Sequence, residues 1–265
     1  MDIAGYMASV LIGIALGVIG GGGSILTVPV LVYLFSIDAA VATVYSLFIV
    51  GTTSVIGFFS YFKKGWVNIR TAVVFGVPST ISVLLTRAYI VPAIPQEIFR
   101  VGDFVITRSI LLMLLFAVLM IFASYSMIKK REMPAGTIPQ KQSYNYPLVL
   151  FEGLSVGVIT GLIGAGGGFL IIPALVHLLK LPMKTAVGTS LLIISINSLT
   201  GFLFSLDHTT VHWAFLSGIS SIAIAGILTG SFIAAKVDGK KLKPAFGWFV
   251  LVMGIYIMIK ETVLR

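Results

Sequence analysis

Eight long runs without a charged residue dominate the sequence. They cover 3–37, 39–62, 71–86, 109–128, 153–179, 185–206, 208–235 and 244–259. Most reach the roughly 17–25 residues that a helix needs to cross about 30 Å of hydrocarbon. Only 10% of the residues are charged, whereas a soluble domain carries about 25%. The chain is therefore predicted to be an all-α, polytopic protein of the cell (inner) membrane, with the lipid bilayer as a partner.

The residue types also limit the chemistry of the chain. There is no cysteine, which excludes disulfides, thiolate nucleophiles and iron–sulfur ligation. The net charge of +9 fits basic loops at an anionic leaflet and fits an anionic cargo equally well. No nucleophile–base pair, metal-ligand set or nucleotide loop is recognisable. We therefore expect no enzymatic activity, no cofactor and no nucleic-acid partner.

One stretch of the chain occurs twice. GVIGGGGSILTVPVLVYL at 17–34 aligns without gaps on GLIGAGGGFLIIPALVHL at 161–178, an offset of 144 residues. Extended to Phe58 and Phe202, the alignment has 17 identities in 42 positions, and these include glycines, a proline and serines. The chain is therefore predicted to contain two internal repeats, 1–130 and 147–265, joined by a basic linker at 131–146.

Tandem glycines should interrupt a helix in each repeat, since glycine costs roughly 1 kcal/mol relative to alanine in a helix interior. Glycines four residues apart, at Gly13/Gly17/Gly21 and Gly153/Gly157/Gly161, suit close helix packing. Packing alone, however, does not require the tandem glycines at 20–23 and 166–168. Repeats with interrupted helices are typical of secondary transporters. Each half is therefore predicted to hold one glycine-broken helix, re-entrant or discontinuous, followed by three transmembrane helices.

The distribution of Lys and Arg addresses how the broken segments cross the membrane. If each segment crosses once, the two sides carry nine basic residues each. If each returns to its own side, one side carries thirteen and the other five. The second distribution has the asymmetry of the positive-inside rule. We favour this arrangement, which inverts the second repeat, places both termini outside and makes the linker cytoplasmic; a long tilted helix per segment is the alternative.

The two breaks are predicted to meet near the membrane midplane and to bind an anion there. Main-chain N–H groups and helix N-termini at Ser24 and Gly168 favour negative charge. Hydroxyls and an amide on the following helices could donate further hydrogen bonds. The candidate substrate-binding residues are Gly20, Gly21, Gly22, Gly23, Ser24, Ser46, Gly164, Gly166, Gly167, Gly168, Thr189, Ser190 and Asn197. For each polar side chain, hydrogen bonding within or between helices is the alternative.

Three further residues could carry chemistry. His208 and His212 have the i,i+4 spacing of a metal-binding pair, but no third ligand is nearby, so an interfacial loop without metal is expected. Glu152 begins an apolar segment, where it could couple transport to protons or simply lie at the interface.

The paired GxxGxGGGxxxxP motifs, AVGTSLL at 186–192 and the basic central linker resemble the TauE/SafE family of membrane transporters. The resemblance covers essentially the whole chain. It implies a transporter of small sulfur-containing anions such as sulfite, thiosulfate or organosulfonates, and a homo-oligomer would be compatible with it. Ser24, where the motif has glycine, and a long loop at 87–108 depart from the family pattern. A channel-like pore for small anions is the alternative function.

Overall fold

The computed structural model describes residues 2–101, 104–128, 146–164, 166–177, 179–206, 211–237 and 239–262. We number the helices α1 (Asp2–Ile19), α2 (Ser24–Tyr33), α3 (Ala39–Phe62), α4 (Ile69–Ala93), α5 (Arg108–Ile128), α6 (Tyr146–Ile163), α7 (Gly168–His177), α8 (Met183–Leu203), α9 (Trp213–Lys236) and α10 (Gly239–Thr262). The predicted helical architecture is thereby confirmed. Among the described residues, α3, α4, α6, α8 and α9 are long and apolar enough to cross a membrane. The linker, apart from Tyr146, lies outside the described residues.

One segment departs from the all-α prediction. The stretch 87–108, expected to be a loop, first continues α4 through a wider turn at Thr86–Ile90 and on to Ala93. It then forms two short antiparallel strands, β1 (Glu97–Val101) and β2 (Phe104–Thr107), in which Val101 pairs with Phe104. Aromatic and β-branched residues are frequent in both strands, and such residues favour extended backbone.

The helices of the two halves begin at matched positions. Adding the sequence offset of 144 to the first residues of α1, α2, α3 and α4 gives the first residues of α6, α7, α8 and α9. The offset ends at α5 because the β1–β2 hairpin precedes that helix, whereas only a short connection separates α9 from α10. Each half therefore has a broken segment followed by three helices.

The first broken segment folds back on itself. Gly23 at the start of α2 lies beside Leu16 and Ile12 of α1, and the ring of Phe35 lies against Gly5. The chain after the break therefore runs antiparallel to α1, and the glycines form the tip of a helical hairpin. In the second half, Gly167 just before α7 lies beside Thr160 of α6. These two positions match Gly23 and Leu16 of the first half.

The helices α3 and α8 pack against each other in opposite directions. Gly51 lies beside Leu199, and Gly57 lies beside Leu191, so residue numbers rise along α3 as they fall along α8. The two helices are matched elements of the two halves. Their antiparallel packing limits the orientations that one half can have relative to the other.

Each hairpin packs against a helix of the other half. The first glycine ladder places Gly13 against Gly226 and Gly17 against Gly230, so that α1 runs parallel to α9. These contacts bring backbone against backbone, which small residues allow. The ladder prediction is confirmed for these glycines.

The second ladder makes the equivalent contact between α6 and α4. Gly157 lies against Ser79 and Ser82, and Gly161 lies against Thr86. Residue numbers rise together along the two helices, so α6 is parallel to α4. The halves are consequently interlocked, because the hairpin of each is held by a helix of the other.

The bundle has a basic end. The Nζ of Lys64 donates to the Ser231 carbonyl at 3.0 Å, and that of Lys184 donates to the Ala235 carbonyl at 3.3 Å. Both ammonium groups lie near the Trp66 ring, at 5.5 and 4.9 Å from its centroid. We call this end, where α3 and α9 finish and α8 starts, the basic end. The other, where α3 and α9 begin, is the opposite end.

Candidate functional site

The tips of the two hairpins meet inside the bundle. Gly21 and Gly168 approach so closely that a Cβ on either would overlap the backbone of the other. Gly166 lies against Val50 and Ile194, about halfway along α3 and α8. The two glycine breaks are therefore in contact near the middle of the two central helices.

Glycine is required at the matched bends Gly20 and Gly164. Their φ angles are 74° and 72°, a region that L side chains rarely adopt. A Cβ at Gly20 would approach only side-chain atoms, 3.0 Å from Val187 and 3.1 Å from Ser190. A Cβ at Gly164 would lie 2.6 Å from the carbonyl oxygen of Thr43. Both bends need positive φ, and the second also needs the space.

After these bends, the two breaks take different conformations. In the first, Gly21–Gly23 form a single tight helical turn, and the Ser24 hydroxyl donates to the Gly21 carbonyl at 2.5 Å. In the second, Gly166 and Gly167 both have positive φ, at 66° and 67°. The serine at 24 therefore serves the local turn, whereas its match Gly168 follows a left-handed stretch.

Two candidate residues are engaged by protein partners. The Asn197 amide nitrogen donates to the Ser79 hydroxyl at 2.7 Å, and its carbonyl oxygen accepts from Thr80 at 2.6 Å. The Thr189 hydroxyl accepts from the backbone N–H of Asn68 at 2.9 Å, just before α4 begins. These bonds tie α8 to α4 and are of the interhelical kind that was the alternative to substrate binding.

The matched serines Ser46 and Ser190 differ in their partners. The Ser190 hydroxyl donates to a carbonyl one turn earlier in α8, at 2.8 Å. The Ser46 hydroxyl is buried and has no hydrogen-bond partner among the described residues, and the same holds for Ser54 and Ser198. Ser198 lies 2.8 Å from the position that a Cβ on Gly166 would take. Because an unpaired buried hydroxyl costs free energy, these groups are suited to donate to a ligand.

Arg87 is a candidate site residue that sequence reasoning missed. It was counted in the loop after an uncharged run, but α4 continues to Ala93 and buries it to 3% exposure. Its Nη1 donates to the Thr43 hydroxyl at 3.4 Å, while Nε and Nη2 have no partner within the described ranges. One signal was available: no proline follows the run until Pro92, so the helix had no reason to stop at 86.

Polar groups converge on the second break. Nη2 of Arg87 lies 2.6 Å from the position of a Cβ on Gly164. Thr160 lies against Gly167, and its hydroxyl, like that of Thr86, is buried without a partner in the part of the chain that the structure describes. The Arg87 guanidinium and the buried Thr160 hydroxyl, which lacks a partner among the described residues, thus lie beside glycines of the second break.

The remaining candidates stay predictions. His208 lies outside the described residues, and across the described ranges no group of His, Asp or Glu could hold a metal ion. The Oε2 atom of Glu152 is buried without a hydrogen-bond partner among the residues described. Its role in proton coupling is untested.

Comparison with known proteins agrees with a transport role. The sequence model of one family, described as Sulfite exporter TauE/SafE, matches residues 6–257. A probable membrane transporter protein of Xylella fastidiosa is 29% identical over 256 residues, covering 94% of this chain and 91% of the relative. One from Methanocaldococcus jannaschii is 27% identical over 270 residues, covering 94% of each chain. A third, from Bacillus subtilis, is 27% identical over 250 residues, covering 89% and 91%.

No solved structure matches the chain. The family match includes both glycine breaks and both sets of following helices. The relatives' names indicate a membrane transporter and not an enzyme. The chain belongs to the sulfite exporter TauE/SafE family of membrane transporters.

Proposed function

We propose that the chain is a secondary transporter of small sulfur-containing anions, such as sulfite, thiosulfate or organosulfonates, which bind where the two glycine breaks meet. The contact between Gly21 and Gly168 carries this proposal. It brings the turn just before α2 against the first residue of α7, and helix N-termini attract anions. The hydroxyls of Ser46 and Ser198, which have no partner in the described part of the chain, supply donors without a fixed positive charge.

We infer that the two halves are inverted repeats. The matched helix starts and the antiparallel pair α3 and α8 support this inference. A two-fold axis that exchanges two antiparallel helices lies perpendicular to them, and therefore in the plane of the membrane that they span. Inverted repeats around a central site are the architecture of alternating access. Because each hairpin is held by the other half, the moving bodies need not coincide with the two sequence halves.

The basic end faces the cytoplasm of the cell membrane in this proposal, since thirteen of the 18 basic residues fall on that side. Single cysteines at Gln140 and His208 test the orientation, because the chain has no native cysteine. They should react with a membrane-impermeant maleimide from opposite faces. Labelling of both from one face would contradict the inverted arrangement. Homo-oligomerisation stays a prediction.

Counterflow in proteoliposomes tests the transport mechanism. Purified protein is reconstituted and offered labelled sulfite, thiosulfate or sulfoacetate, with sulfate as a comparison anion. A carrier accelerates labelled uptake when the lumen holds unlabelled substrate, so we expect such acceleration for at least one sulfur anion. Uptake without acceleration would favour the channel-like pore. If none of the anions is taken up, the proposed substrate class is wrong.

A further inference from the structure

Arg87 carries a buried charge that the described part of the chain does not balance. Its side chain is 3% exposed, and its one hydrogen bond to a described residue goes to the neutral Thr43. A buried charge is costly unless it is paired. Ionisable residues inside a membrane bundle mark substrate pathways for this reason. The arrangement calls for a negatively charged partner.

We propose that Arg87 binds the transported anion in a subsite beside the bare backbone at Gly164, and that Thr43 positions the guanidinium. The Thr43 hydroxyl donates to the Ala40 carbonyl at 2.7 Å and accepts from Nη1 of Arg87. This inference rests on the proposed function, because the ligand is the same sulfur oxyanion. The atoms without partners among the described residues are Nε and Nη2, which form one edge of the guanidinium plane. That edge can donate two parallel hydrogen bonds to two oxygens of a sulfite or sulfonate group.

The subsite lies between the hairpin contact and the opposite end of the bundle. Thr43 stands in the second turn of α3, which begins at that end, and Arg87 is near the end of α4. An anion that enters from the opposite end therefore meets Arg87 before it reaches the contact of Gly21 with Gly168. A side chain at Gly164 would occupy the space beside Nη2, only 2.6 Å away.

The cation belongs to one break only. At the sequence offset of 144, Arg87 corresponds to Ser231 and Thr43 corresponds to Val187. The Ser231 hydroxyl already donates to a carbonyl of its own helix at 3.0 Å and accepts from Ser60. The glycine break of the first half therefore folds with Ser231, and not a buried cation, at the position that corresponds to Arg87. Arg87 is therefore not a packing requirement of the repeated unit, which favours a ligand-binding role.

Variants of the full-length protein test this subsite by anion-dependent thermal shift and by counterflow. Arg87→Gln removes the charge, and its affinity for sulfite, thiosulfate or sulfoacetate should fall roughly 10- to 150-fold. Arg87→Lys keeps the charge but lacks the two parallel N–H donors of the guanidinium edge, so its loss of anion affinity should be smaller than that of Arg87→Gln. Thr43→Val removes the oxygen that accepts from Nη1, so it should weaken binding roughly 2- to 10-fold through the position of the guanidinium. Arg108→Gln, which removes a charge from the same end, is the control and should bind like the wild type.

The stability of the variants without anion separates binding from structure. Arg87→Gln should be at least as stable as the wild type in anion-free buffer, because an unbalanced buried charge is removed. A lower midpoint there, with wild-type anion affinity, would make Arg87 structural and overturn the subsite while the proposed function stands. If Arg87→Gln does not purify, wild-type affinity in both Arg87→Lys and Thr43→Val overturns it. If the wild type itself binds none of the anions, the proposed function fails and the subsite fails with it.

Discussion

The two glycine breaks share a bend but not its surroundings. Both turn at a glycine with positive φ, Gly20 in the first and Gly164 in the second. The neighbours of the second break are polar, and the matched neighbours of the first are mostly not. Arg87, Thr43 and Thr160 at the second correspond to Ser231, Val187 and Leu16 at the first.

This difference separates two requirements of a binding site in a repeat protein. The bend itself needs only glycine, because positive φ and close backbone contact exclude larger residues. The chemistry of the bend depends on side chains that other helices supply, and these can change in one copy alone. The pair of breaks can thus share one backbone function while only the second carries a charge.

The largest expected effect comes from adding a methyl group at the two bends. Gly164→Ala should destabilise the protein by about 2–5 kcal/mol, because it combines backbone strain with overlap of the Thr43 backbone. Gly20→Ala should cost about 1–3 kcal/mol, since only side-chain ends must yield there. Thermal unfolding in detergent measures both. Gly218→Ala, on α9 with no atom within 4 Å of the added carbon, is the control. Equal losses at the two bends would remove the distinction between them.

A smaller effect should separate Asn197 from its match Thr53. Asn197→Ala removes the amide that donates to Ser79 and accepts from Thr80, while Thr80 keeps its bond to the Gly76 carbonyl. This loss should lower stability by about 1–2 kcal/mol. Within the described ranges, Thr53 bonds only to the Ile49 carbonyl of its own helix, so Thr53→Ala should change stability by less than about 0.5 kcal/mol. Unfolding midpoints without anion provide the measurement. Weaker anion binding at unchanged stability would instead make Asn197 a ligand.

The smallest expected effect is a difference in anion binding between variants of the matched serines Ser46 and Ser190. Ser46→Ala should weaken anion binding by about 0.5–1.5 kcal/mol, because it removes a buried donor that has no partner among the described residues. Ser190→Ala should change it by only a few tenths of a kcal/mol, since that hydroxyl already bonds within α8. Anion titrations followed by thermal shift compare the two variants. Identical losses would mean that the two serines contact the substrate symmetrically.

Much of the fold could be predicted from the amino-acid sequence alone. Uncharged runs of membrane-spanning length require helices, because backbone polar groups in lipid must be satisfied within the segment. Tandem glycines located both breaks, and the aligned repeat located the matched bend in the second half, Gly164, from Gly20 in the first. The strands β1 and β2 were not foreseen, because a loop rich in aromatic and β-branched residues gives no clear signal of its pairing.

The site could be predicted only in part, because burial and hydrogen-bond partners depend on contacts between distant segments. Sequence periodicity could not show that Ser46 has no partner in the described part of the chain whereas Ser190 has one, since the two serines are matched. The sequence alone predicts Arg87 in a loop, whereas in the structure α4 continues past it to Ala93. Local sequence sets where this chain bends, through glycine's backbone freedom. Only the packing of α3, α4 and α6 around the second bend decides that a guanidinium lies buried there.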